Sequence, residues 1–156
     1  MQDVMFIPIF MFILAISILV AYLILTNINT NFQALDADQM PSNAKSVVSE
    51  QKDSFVSLWD GIFAFLFIGL SMGAIIGAFL IDTHPIFMVL SIIMLVSFII
   101  VGAVLANAYY EVESADSFLA FAEEFRAMHY MMNHLALYVL IEGILIMLAL
   151  YTRSGL

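Results

Sequence analysis

The chain has 156 residues, 64% of them hydrophobic and only 11% charged, with no cysteine and a formal net charge of −9. Soluble domains are about half apolar and about a quarter charged, so this excess calls for lipid rather than for a larger core. The lack of Cys excludes disulfides and the thiol chemistry of four-helix membrane oxidoreductases. Four basic residues speak against nucleic-acid binding by phosphate neutralisation, a polybasic membrane-surface switch, and the anionic cofactor of membrane glutathione transferases.

Residues 4–26 carry no charge and are long enough to cross a hydrocarbon core of about 30 Å. Pro8 lies near the start, where a helix tolerates it. Asp3 stands where a signal peptide would be basic, the apolar run is too long for its core, and no small-x-small cleavage site follows. The segment is therefore expected to be a retained transmembrane helix. Residues 27–53 are polar. Pro41-Ser42 reads as a helix start with Ser42 as N-cap, running on into a second span at 55–81. Asp82-Thr83-His84-Pro85 predicts a tight turn before a third span at 86–109. An acidic break at 111–116 follows, and Asp116 is placed to cap another helix. Phe118, Phe121, Ala122, Phe125, Met128 and Met132 then recur at helical spacing opposite Glu123, Glu124 and Arg126. That pattern predicts an amphipathic segment in the interface or against other helices. It leads into the fourth span at 133–151.

The expected fold is a single all-α domain over residues 1–156: a polytopic transmembrane bundle of four helices in two hairpins, with an interfacial amphipathic helix before the last span. Asp60-Gly61-Ile62 and Glu142-Gly143-Ile144 recur in the second span of each hairpin, a short echo compatible with duplication or coincidence. The polar loops at 27–53 and 110–130 fall on one side of the membrane. Trp59, Tyr109, Tyr110 and Tyr130 would form an aromatic belt there, with Tyr151 at the other face. Lys45, Lys52 and Arg126 against Arg153 favour cytoplasmic loops and outward termini.

Gly69, Gly73 and Gly77 sit four residues apart, with Gly61 eight residues upstream. Glycine at this spacing lays a smooth groove along one helix face for close packing in lipid. The row is expected to face another helix, in this bundle or a neighbouring copy, joined by Gly102 and Ala106. It overlaps G-x-S-x-G at residues 69–73, but the strand-to-helix turn that exposes a nucleophilic serine has no place inside an apolar helix. Ser71 is expected to bond its own helix. Glu142 lies almost halfway into the fourth span, where an ionisable group costs about 2.5–3.5 kcal/mol. It reads as a hydrogen-bonded structural acid or, in the functional reading, as a proton or ion relay. Asp60 lies one turn inside the second span and should reach the interface. His129 and His134 lack the Glu-x-x-His or H-E-x-x-H partners of a metal site, so interfacial hydrogen bonding is expected of them.

Asp82-Thr83-His84-Pro85 opening a span, Ala106-Asn107-Ala108-Tyr109-Tyr110-Glu111 closing it, and Met131-Met132-Asn133-His134-Leu135 opening the last one form a further pattern. Over roughly the C-terminal half it resembles small integral membrane proteins of tailless icosahedral viruses and phages with an internal bilayer. The resemblance implies no catalytic residues. It implies a structural role in the virion or host cytoplasmic membrane, touching the capsid shell. The expected function is non-enzymatic: helix packing into an oligomer or larger assembly. The alternative is a small channel, holin-like pore or proton-coupled transporter using Glu142. Expected partners are the lipid bilayer, copies of the chain and other membrane or capsid proteins, without nucleic acid, metal or cofactor.

Overall fold

A computed structural model describes residues 2–36, 38–80 and 85–154, with side chains described for 6–36, 38–80 and 89–152. Six helices account for nearly all of it: α1 (Gln2–Gln33), α2 (Ser42–Leu80), α3 (Pro85–Glu113), α4 (Leu119–Ala122), α5 (Arg126–Asn133) and α6 (Leu135–Ser154). No strand occurs among the described residues. Four stretches are long and apolar enough to cross a bilayer: Phe6–Gln33, Ser42–Leu80, Val89–Glu113 and Leu135–Thr152. The chain is thus an all-α integral membrane bundle. The turn expected at residues 82–85 lies, but for Pro85 opening α3, outside the described residues.

The polar stretch 27–53 is mostly helix. α1 continues to Gln33 and α2 begins at Ser42, leaving only residues 34–41 as connection. At roughly 1.5 Å per residue α2 is about 58 Å long, almost twice the hydrocarbon core. Its first third therefore stands outside the lipid beside the end of α1. Lys45 Nζ fastens the two there, donating to the carbonyls of Gln33 and Leu35 at the end of α1. A cation at a helix C-terminus satisfies orphan carbonyls and complements the dipole.

Around the bundle each spanning helix packs on the next in the order α1, α2, α6, α3, and α3 closes onto α1. The inward stripes repeat at three- and four-residue spacing. Ile7, Met11, Ala15, Ile18 and Tyr22 line α1; Phe63, Phe67 and Ala78 line α2; Leu135, Val139, Glu142, Ile146 and Ala149 line α6. Phe125, Met128 and Met132 extend that last stripe back through α5. The amphipathic segment is therefore α4 and α5, its apolar face against α1, α2 and α3. Asp116 does not cap it: Phe118 precedes α4 with no side-chain cap bond. Outward faces are apolar, as at Phe65 (76% exposed) and Leu80 (74%). In water such a surface would aggregate; lipid covers it.

Candidate functional site

Two polar constellations interrupt the apolar interior. The first holds α4 and α5 on the loop-side end of the bundle. Phe125, before α5, offers no side-chain cap. Asp60 of α2 does that work instead: its carboxylate accepts the N–H of Ala127 at 3.0 Å and of Met128 at 2.8 Å. These are among the orphan donors of a helix start, and the negative charge meets the positive end of the helix dipole. Glu113, buried at the end of α3, receives His129 Nδ1 at 2.8 Å on one oxygen and Asn133 Nδ2 at 3.1 Å on the other. Tyr22 of α1 donates its hydroxyl to Glu124 at 2.6 Å. One carboxylate contact thus joins the α4–α5 segment to each of α1, α2 and α3.

Aromatic rings fill the space between these contacts. Tyr22 packs on Phe55, Phe121 and Phe125 with centroids 5.8, 5.4 and 5.3 Å away. Lys52 Nζ lies 5.9 Å from the centroid of the Tyr22 ring, at the outer limit of a cation–π contact. Tyr109 departs from the expected interface belt. It is fully buried and its hydroxyl has no partner. Tyr110 and Tyr130 are exposed, and Trp59 is half-buried against Phe55. Tyr109 turns inward because it lies on the same face of α3 as Gly102 and Glu113, seven and four residues away, and that face meets α6 and α5.

The second constellation lies between α2 and α6. Ser71 Oγ donates to Glu142 Oε2 at 3.2 Å. Ser71 therefore bonds across the bundle and not to its own helix. Glu142 is 8% exposed, and its Oε1 is buried with no partner. Eleven residues separate Asp60 from Ser71 on α2, a rise of about 16 Å. Phe63 and Phe67 occupy that interval on the inward face, and Tyr138 packs on Phe67 at 5.1 Å. An apolar layer thus separates the two constellations. Beyond Glu142, Ala78, Ile146, Ala149 and Leu150 form the next packed layer.

The glycines divide by face. Around Gly61, Gly69, Gly73 and Gly77 a Cβ would find nothing within 4 Å among the described residues. Gly69 and Gly73 are exposed on the side of α2 turned away from Phe63 and Phe67, whereas Gly77 is half-buried next to Ala78 at the edge of the inward stripe. Gly102 does meet a neighbour: a Cβ there would lie 3.3 Å from Ala136 Cα and from Val139 Cγ2. Ala106 packs partly buried against the loop-side core. The tightest approach belongs to Gly143, where a Cβ would collide with the Leu95 side chain.

His134 Nδ1 bonds the carbonyl of Tyr130 at 2.9 Å, and among the described residues no cluster of three or more His, Asp or Glu could hold a metal. Comparison with protein-family models, curated proteins and solved structures gave no match.

Proposed function

We propose that the chain is a non-enzymatic structural protein of a membrane, built to join a larger assembly through the outer face of α2. The observation that carries this reading is the open glycine row. A Cβ at Gly69 or Gly73 would meet nothing within 4 Å among the described residues, and both are exposed, while Phe63 and Phe67 on another face of the same helix complete the bundle. Glycine costs about 1 kcal/mol per residue against alanine in a helix, and close approach of another backbone is what offsets such a cost in lipid. The partner we favour is a further copy of the chain. Substitution Gly73→Leu would fill the groove with no clash inside the protomer. It should shift the protein to smaller species on a gel in mild detergent, and an unchanged oligomer size would overturn the reading.

The setting we propose is a virion membrane beneath a capsid. The resemblance of the C-terminal half supports it, as does the charge of the loop-side surface. Of the nine acids on that side, Asp36, Asp38, Glu50, Asp53, Glu111, Asp116, Glu123 and Glu124 are exposed and Glu113 is buried. Such a surface suits a protein shell better than packaged DNA. Labelling intact particles with a membrane-impermeant reagent tests it: loops should react, and loops protected while termini react would overturn it.

The second reading is a pore or proton-coupled carrier at Glu142, favoured by the unpartnered Oε1 in mid-membrane. Flux through proteoliposomes separates the two. A leak abolished by Glu142→Gln supports transport, and silent vesicles support the scaffold.

A further inference from the structure

The outer face of α5 carries a row that no contact within the bundle uses. Arg126, Tyr130 and His134 follow at four-residue spacing and so share a face. All three are exposed, while Met128 and Met132 on the opposite side are fully buried. The same outward face continues into α6 as Leu137, Ile141 and Leu148, which are 51%, 48% and 55% exposed. The row thus changes from polar to wholly apolar within one turn, between His134 and Leu137. In a chain that spans a bilayer, that change marks where water gives way to hydrocarbon. Arg126, Tyr130 and His134 stand just above it, at the height of the lipid headgroups.

Local bonding fixes how the row presents itself. His134 Nδ1 lies 2.9 Å from the carbonyl oxygen of Tyr130, which can only accept, so Nδ1 carries hydrogen and Nε2 is the nitrogen left for an outside partner. The Tyr130 and His134 rings lie 4.5 Å apart and brace each other. Arg126 makes no ion pair among the described residues. A guanidinium, a phenol and an imidazole in one line suit a phosphate oxygen cluster.

We propose that Arg126, Tyr130 and His134 bind the phosphodiester of a zwitterionic, amine-bearing phospholipid in the loop-side leaflet. The charge around the row selects this headgroup over an anionic one. Glu123 is exposed three residues before Arg126, and the loop side holds nine acids against three basic residues. That surplus repels a net negative headgroup, whereas Glu123 supplies a carboxylate for an ammonium. The inference needs only that the chain spans a bilayer, and it stands apart from the assembly reading.

The test takes the full chain from vesicles of equal phosphatidylethanolamine, phosphatidylcholine and phosphatidylglycerol into mild detergent and counts retained lipid by native mass spectrometry. Phosphatidylethanolamine should be retained above the other two. Arg126→Ala should lower that retention about tenfold, the loss of one charged hydrogen-bonded contact. Arg126→Lys should fall between, and Ile141→Ala, further along the same face, should retain it. Excess soluble glycerophosphoethanolamine should leave the lipid in place. Stripping by that headgroup would make the ligand a free phosphodiester and overturn the lipid assignment. Retention by Arg126→Ala and by Arg126→Ala/His134→Ala equal to that of the wild type, in protein of unchanged helicity, would overturn the site. Preference for phosphatidylglycerol would overturn the charge argument.

Discussion

Asp60→Ala should release the start of α5. The wild-type carboxylate accepts two N–H groups, from Ala127 at 3.0 Å and Met128 at 2.8 Å. A hydrogen bond to a charged group contributes about 1.5–3 kcal/mol. Asp60 is half-buried, so the lower end applies, giving about 3 kcal/mol for the pair. Water reaching the freed N–H groups returns part of that, leaving a net loss of about 2 kcal/mol, or about 30-fold in the opening equilibrium. Asp60→Asn keeps one acceptor and turns an amide N–H₂ toward the other donor, so it should lose roughly half as much. Hydrogen exchange resolved by residue in detergent reads this directly. Ala127 and Met128 are second and third in α5, positions whose amides have no intrahelical acceptor. Their protection therefore reports Asp60 alone. Both amides should exchange about 30-fold faster in Asp60→Ala, with those of α2 unchanged. Equal exchange in wild type and variant would refute the cap.

Three further outcomes test the packing. Gly143→Ala should lower the thermal midpoint by the equivalent of about 1–2 kcal/mol, because its Cβ meets the flexible end of Leu95. In a double-mutant cycle Leu95→Ala should recover about 1 kcal/mol of that loss. Gly73→Ala, with nothing within 4 Å, should leave protomer stability unchanged or raise it by up to about 1 kcal/mol. Ser71→Ala removes the one hydrogen-bond partner of Glu142 among the described residues and should destabilise the fold by about 0.6–1.7 kcal/mol in detergent melts, the range for hydrogen bonds between membrane helices.

The four spans were legible because length and apolar run alone decide them. The facing of each helix was not, and α2 shows why. In a soluble helix polar residues mark the outside, but in lipid both faces are apolar and that contrast vanishes. Glycine spacing then reads as a contact surface without saying which contact. Asp60, Phe63, Phe67, Ser71, Ala74 and Ala78 form the inward stripe at spacings of three and four. Gly69 and Gly73 are exposed away from that stripe, and Gly77 is half-buried at its edge. The usable signal was the acids: an ionisable side chain in a span turns away from hydrocarbon, whereas a serine can satisfy itself on its own helix, as Ser17 and Ser97 do while remaining exposed. Asp60 and Ser71 share a face, and each finds its partner through the bundle, on α5 and on Glu142. In α3 the acid Glu113 is buried on the face of Tyr109 and Ser91, while Ser97 and Asn107 are exposed. Such a rule orients a helix but names no partner. That Asp60 meets the backbone of α5 depends on α4 and α5 folding back over the bundle end. No spacing within α2 encodes that fold-back, which follows from the apolar stripe Phe125, Met128, Met132 and Leu135 continuing that of α6.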